Sequence, residues 1–134
     1  MEIVISIKPQ YVKLILESKK NYEFRNYIPK QGVHRLWIYT SSPIKKLEYV
    51  IDVDNIVSYP ELIKEDGIGN DTFNKGDGYK HAYHIKHLYS LEKSLDLKKL
   101  KENFSFNAPQ SYFYLDNYPK LKNYLNNISL NKIF

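Results

Sequence analysis

The feature that most constrains the fold is a series of short segments rich in β-branched and aromatic residues, separated by turn residues. The longest segment, residues 47–59, carries Val or Ile at five positions, and the first, residues 3–7, alternates three Ile with Val and Ser. Such runs are typical of strands with at least one buried face. The sequence therefore predicts a domain built around a sheet.

Six strands and three or four helices, together with short helical turns, are predicted in mixed order. The predicted strands cover residues 3–7, 22–25, 36–39, 47–59, 82–91 and 112–115. The predicted helices begin at Pro9 and cover residues 95–103 and 119–127, with short helices over 60–66 and near Phe73. This order indicates a single α+β domain, a small β-barrel with helices packed outside it.

Composition narrows the class of protein. The 134 residues fit one domain, there is no Cys, and no apolar run approaches the length of a membrane span. The first residues carry no basic segment and no small-residue cleavage site, so we expect a cytoplasmic protein that does not enter a membrane. No phosphate-cradling or dinucleotide fingerprint is present, and no cofactor or metal is expected.

The net charge of +5 favours acidic partners such as nucleic acid, but most of it comes from Lys. The chain is also rich in Asn and Ile, a mixture that an AT-rich genome gives to any protein. The two arginines, Arg25 and Arg35, are exceptions to this bias and are therefore more informative.

The most specific stretch covers residues 18–25. On a strand, Glu23 and Arg25 lie on one face, while Tyr22 and Phe24 lie on the other and are expected to enter the core. Lys20, at the turn from helix to strand, reaches the same place as Glu23 and Arg25. Two cations and one carboxylate then converge, either as a functional site or as an ordinary surface ion pair of little energetic value.

This stretch resembles the Gly-x-Lys-x-x-Glu-x-Arg signature of the ASCH domain, a branch of the PUA-like superfamily. It matches at Lys20, Glu23 and Arg25, and it departs at Ser18, where the signature has Gly. Residues 5–9, 39–43 and 109–114 resemble other segments of that family in the same order. The resemblance covers about residues 3–115 and leaves residues 116–134 as a C-terminal helical extension.

The resemblance implies a PUA-like β-barrel with flanking helices and a cleft beside the signature that binds RNA, other nucleic acid or a nucleotide-like ligand. Lys20 and Arg25 would supply positive charge. Glu23 would either hold Arg25 in place or accept a hydrogen bond from an exocyclic amine, and Tyr39 would stack on an unpaired base. The expected ligand-contacting residues are Lys8, Lys20, Glu23, Arg25, Tyr39, Ser41, Gln110 and Ser111.

The same resemblance leaves an enzyme as an alternative, either a ribonuclease or a small amidohydrolase acting on a modified nucleoside. For hydrolysis, Lys20, Glu23 and Ser41 are the candidates for acid–base catalysis. The amidohydrolase branch uses a Thr nucleophile at the position of Glu23, and a carboxylate cannot replace that hydroxyl. A hydroxyl from Thr40, Ser41 or Ser42 would then be needed near Lys20.

Two further features were open to a functional interpretation. His81, His84 and His87 are spaced by three residues, which on a strand divides them between two faces, so we interpret them as surface or barrel-rim side chains. The C-terminal extension has apolar residues at helical spacing. A protein-interaction module would leave them exposed, but packing on the barrel is favoured.

Overall fold

The computed structural model describes all 134 residues as seven strands, four α-helices and one 3-10 turn over Leu115–Asn117. The strands are β1 Glu2–Ile7, β2 Tyr22–Arg25, β3 Arg35–Thr40, β4 Lys46–Ser58, β5 His81–Asp96, β6 Tyr112–Tyr114 and β7 Leu130–Lys132. The helices are α1 Pro9–Leu16, α2 Asn70–Asn74, α3 Leu97–Phe104 and α4 Pro119–Asn126.

All seven strands belong to one mixed sheet. Its main path runs β2-β5-β4-β3-β1-β6 and forms a half-barrel. Only β1 and β3 are parallel, and they are joined through α1 and β2; the other pairs are antiparallel. The long strand β5 pairs with β4 along one edge, while β2 and β7 pair with different parts of its other edge.

The sheet is buried on both faces, which the alternation of residues in β3 makes clear. Leu36 and Ile38 belong to a core that includes Val12 of α1. Trp37 and Tyr39 point to the opposite face and belong to a second core. Helices α3 and α4 contribute Leu100, Leu121 and Leu125 to that second core. Because helices cover both faces, β3 is buried at every position after Arg35 rather than at alternate ones.

Most predicted elements are confirmed, with two exceptions. Residues 60–66 form no helix, because the backbone N–H and C=O of Ile63 bond the side chain of Asn74 (2.8 and 2.9 Å) instead of helical partners. Strand β7 was not predicted, since a three-residue strand with Leu130 as its only apolar member has no clear signal.

The C-terminal extension packs on the sheet. Leu121 and Leu125 of α4 are buried and β7 pairs with β5, so the tail does not offer the exposed apolar patch of a protein-interaction module. All four helices are of eight residues or fewer, and none is long and apolar enough to cross a membrane.

Candidate functional site

The three charged residues of the predicted motif converge at β2. Lys20 Nζ lies 3.0 Å from Glu23 Oε1, and Arg25 Nη2 lies 2.8 Å from Glu23 Oε2. The side chains of Lys20, Glu23 and Arg25 are 6, 8 and 16% exposed, respectively. These three residues, the charged triad, are therefore not an ordinary surface ion pair.

Local structure explains the convergence. The N–H of Lys20 bonds the carbonyl of Leu14 (3.1 Å), so α1 ends in a tight turn that aims the lysine back at β2. Glu23 and Arg25 are two residues apart on a strand and share a face. Arg25 also donates from Nη2 to the carbonyl of Ser6 on β1 (3.0 Å), which connects strands that do not pair with each other in the sheet.

The triad carries one positive charge in excess. Burial alone would lower the pKa of Arg25, but the neighbouring Glu23 carboxylate outweighs this, and the pKa is raised. Arg25 therefore stays protonated throughout the working range of pH. Buried charges away from water interact strongly with each other and with a ligand's opposite charge.

A cavity of about 340 Å³ opens beside the triad, which is within the size range of small-ligand sites. Its walls come from α1, β2, α2 and the turn before β5. The lining residues are Tyr11, Lys20, Glu23, Phe24, Ile68, Gly69, Thr72, Phe73, Gly78 and Tyr79. The site thus combines two charged side chains with a mainly aromatic and apolar wall.

The outer wall is the segment between β4 and β5, which a group of amide side chains holds in place. The buried Asn70 donates from Nδ2 to Asn21 Oδ1 (3.0 Å) and to the carbonyl of Glu65 (3.1 Å). Asn21 in turn donates to the carbonyl of Asp66 (3.0 Å), and the Tyr22 hydroxyl bonds the Glu65 carboxylate. The irregular segment is therefore anchored to β2 beside the triad.

The predicted site residues separate into two groups. Lys20 and Glu23 line the cavity, and Arg25 lies on the other side of Glu23 with its Nε and Nη2 already bonded within the protein. The remaining predicted residues, Lys8, Tyr39, Ser41, Gln110 and Ser111, do not line it.

The expectation that Tyr39 stacks on a base is wrong. Its side chain is only 3% exposed and packs against Phe106, with ring centroids 5.5 Å apart. The cause is the second layer of helices, which covers the face of β3 that carries this residue. Ser41 lies where β1 and β3 end, with its N–H bonded to the carbonyl of Ile7 (3.0 Å), and not in the cavity with Lys20. The neighbouring Thr40 hydroxyl is buried.

Gln110 and Ser111 are exposed and lie in the segment just before β6. The carbonyl of Ser111 accepts from the Tyr27 hydroxyl (3.2 Å), and the adjacent Pro109 carbonyl accepts from Ser6 (2.7 Å). Burial raises the pKa of the Tyr27 phenol, although the charge of Arg25 opposes the shift. Contact of Gln110 and Ser111 with a ligand stays a prediction.

The three histidines bond different partners. His81 contacts the Ser58 hydroxyl (2.8 Å), His84 contacts the Asp54 carboxylate (2.7 Å), and His87 packs near Tyr89. They do not converge on one point.

Several cavity residues were missed from the sequence. Phe24 was expected in the core but is only partly buried, whereas Tyr22 is buried as expected. Ile68, Phe73 and Tyr79 are about 45 to 60 residues from the motif along the chain. The four glycines between residues 67 and 78 were the available signal, since loops of this kind often carry binding residues.

The chain is similar to known proteins in sequence and in fold. No protein-family model matches the chain. The ASCH domain-containing ribonuclease of Zymomonas mobilis subsp. mobilis is 28% identical over 125 residues, covering 85% of this chain and 84% of that protein. The resemblance to ASCH proteins is confirmed.

The solved structures show the same fold. The crystal structure of ASCH from Zymomonas mobilis is 25% identical, with a TM-score of 0.69 and 96% of each chain covered. A Tyr-to-Phe mutant of ZmASCH is 24% identical, with a TM-score of 0.72 and 96% and 99% coverage. The predicted fold class, an α+β PUA-like ASCH fold, is therefore confirmed, and the charged triad consists of the three residues that resemble the ASCH signature.

Proposed function

We propose that this protein binds RNA through the cavity beside β2. The observation that carries the proposal is the charged triad, which is buried, carries one excess positive charge, and opens through Lys20 and Glu23 into an aromatic cavity. This combination suits RNA, because cations attract the phosphate groups and aromatic rings stack on an unpaired base. The name of the Zymomonas mobilis relative supports RNA as the partner.

Lys20 is the cation best placed to meet the ligand. Its ammonium group has three N–H donors, of which one bonds the carbonyl of Tyr22, and it forms an ion pair with Glu23 at 3.0 Å. At least one N–H remains available to a ligand, and Lys20 lines the cavity. A phosphate oxygen or a base carbonyl that enters the cavity accepts this proton without breaking the triad.

RNA cleavage is the second candidate function, and the ribonuclease name of the relative favours it. In the simplest route, Glu23 accepts the 2′-hydroxyl proton and the 2′-oxygen attacks the adjacent phosphate. The 5′-oxygen leaves with a proton from a water molecule, giving a 2′,3′-cyclic phosphate and a 5′-hydroxyl, and the remaining hydroxide takes the proton from Glu23. Lys20 stabilises the charge that develops on the phosphate, which is the larger contribution in most reactions of this kind.

The test compares two adjacent lysines. The test variant Lys20→Met removes the buried positive charge but leaves Glu23 paired with Arg25. The control Lys19→Met removes the charge of a lysine whose side chain is 62% exposed. Binding of a short labelled single-stranded RNA is measured by fluorescence anisotropy at low and high salt, after thermal melts establish that both variants fold. The same samples are then run on a denaturing gel to detect cleavage.

We expect RNA binding that weakens with salt, and an affinity reduced about tenfold by Lys20→Met but less than about twofold by Lys19→Met. Product that depends on Lys20 assigns a ribonuclease, and binding without product assigns a binding protein. Equal effects of the two substitutions, or no binding at either salt concentration, contradict the proposal.

A further inference from the structure

Two aromatic rings in the cavity wall lie nearly parallel. The rings of Phe24, on β2, and Tyr79, in the turn before β5, have planes inclined by 17° and centroids 6.5 Å apart. Both rings line the cavity that contains Lys20 and Glu23. A pair of near-parallel rings in the wall of a cavity is the arrangement that clamps a planar aromatic ligand from both sides.

The Phe24 ring is the fixed side of this pair. Phe73, which is buried, packs against it with centroids 5.8 Å apart. Gly69 packs so closely against the ring that a Cβ atom added to this glycine would lie 2.8 Å from Phe24 Cε2. The Lys20 ammonium lies 4.6 Å from the ring centroid, a distance at which a cation is attracted by the aromatic face. Phe24 is therefore held from several directions.

The Tyr79 ring is the movable side. It is 50% exposed, its hydroxyl makes no hydrogen bond within the protein, and it follows the exposed Gly78. Little therefore holds the ring in one position. A large aromatic side chain left half exposed beside a cavity is also a surface on which a ligand can gain contact area.

We propose that Phe24 and Tyr79 form a slot for one unpaired nucleobase, an inference that rests on the proposed binding of RNA. Two layers of van der Waals contact need about 7 Å between the outer rings. With their centroids 6.5 Å apart, the two rings leave no gap of this width, so Tyr79 moves outward as the base enters.

The slot accepts a base only from single-stranded or flipped-out RNA. Both faces of a base in a duplex are already covered by its neighbours, so they cannot contact Phe24 and Tyr79 at the same time. The Lys20 ammonium lies 4.6 Å from the centroid of the Phe24 ring and lines the same cavity, so a base carbonyl or ring nitrogen in the slot can accept a hydrogen bond from it. The backbone phosphates then remain outside the slot, near the excess positive charge of the triad.

The test uses a single-stranded RNA with one 2-aminopurine flanked by uridines. Uridine stacks weakly, so the free probe is bright, and its fluorescence falls when aromatic rings sandwich it. The variants are Tyr79→Ala, which removes the movable ring, and Tyr79→Phe, which keeps it. The matched control is Tyr59→Ala, because Tyr59 is equally exposed (48%) but does not line the cavity.

We expect quenching with the wild type, Tyr79→Phe and Tyr59→Ala. With Tyr79→Ala we expect the quenching to be lost and the affinity to fall by about tenfold. RNA that binds in the anisotropy assay without quenching the probe overturns the slot while leaving RNA binding intact, as does a Tyr79→Ala variant that behaves like the wild type. No binding in the anisotropy assay overturns both proposals.

Discussion

The only two arginines of this chain each pair with a carboxylate, yet the two pairs differ in ways that separate a candidate functional site from a structural contact. Arg35 and Asp52 lie directly opposite each other on the antiparallel strands β3 and β4, with 2.7 Å between Nε and Oδ1. Their side chains are 26 and 23% exposed. Arg25 and Glu23 lie on the same strand, are more deeply buried, and share Glu23 with Lys20.

The surroundings differ as well. The Arg35 guanidinium lies 5.9 Å from the Trp37 ring and 5.6 Å from the Tyr89 ring, so its charge is matched by Asp52 and its faces lie near aromatic rings. The charged triad has one positive charge that no carboxylate matches. Both pairs border a cavity, but the cavity beside the triad has a mainly aromatic and apolar wall, whereas Val53 is the one apolar residue that lines the cavity beside Arg35 and Asp52. A buried, unmatched charge is costly for folding, and such groups concentrate at functional sites.

The largest expected difference is in stability. Glu23→Gln removes the carboxylate that serves both buried cations, and we expect it to lower the free energy of unfolding by about 3–5 kcal/mol. Asp52→Asn breaks a pair that water still reaches, and we expect a loss of about 1 kcal/mol or less. Urea denaturation of both variants measures the difference, and equal losses would show that burial does not distinguish the two pairs.

The second prediction concerns the aromatic cavity beside the triad. Gly69→Ala places a Cβ 2.8 Å from Phe24, whereas Gly32→Ala, at a similar positive φ (+75° against +88°), meets no atom within 4 Å. Both variants carry backbone strain, and the contact adds about 1–3 kcal/mol for Gly69→Ala alone. Denaturation curves give the stabilities. RNA affinity should fall only for Gly69→Ala, and a loss of affinity with Gly32→Ala would refute this interpretation of the cavity.

The smallest expected effect is on alkaline stability. Burial and the neighbouring Glu65 raise the pKa of Tyr22. Burial and Asp52 raise the pKa of Tyr89, but the positive charge of Arg35 opposes that shift. Above about pH 10 the phenol ionises in the unfolded chain but stays protonated in the folded one, so the protein loses stability as the pH rises toward the folded pKa. The loss in the free energy of unfolding is about 1 kcal/mol by pH 11. In thermal melts across this range, the melting temperature should fall less steeply with pH in Tyr22→Phe than in Tyr89→Phe. A smaller effect of Tyr22→Phe would contradict the claim that the buried Tyr22 contributes more to the alkaline loss of stability.

The charged triad could be predicted because its geometry is local. Side chains two residues apart on a strand share a face, and a helix that ends just before the strand brings Lys20 to the same face. The strands β1 and β4 were likewise predictable from runs of β-branched residues. These inferences depend on neighbours in the sequence and need no knowledge of how the sheet closes.

The cavity could not be predicted, because it depends on contacts between distant segments. Tyr79 meets Phe24 only after β2 pairs with the start of β5, and Phe73 reaches that ring through the anchored segment between β4 and β5. Tyr39 shows the same limit in reverse. Its position on a strand was predicted, but nothing local indicates that helices would cover its face of the sheet.

The most direct test of the account measures RNA affinity after the same substitution at each arginine. Arg25→Lys keeps the charge but removes the planar group that bonds both Glu23 and Ser6, and Arg35→Lys does the same at the pair with Asp52. Anisotropy titrations with labelled single-stranded RNA should give about a tenfold loss of affinity for Arg25→Lys and less than about a twofold loss for Arg35→Lys. Binding that survives Arg25→Lys intact, or that falls equally in both variants, would contradict the central claim that RNA binds at the charged triad.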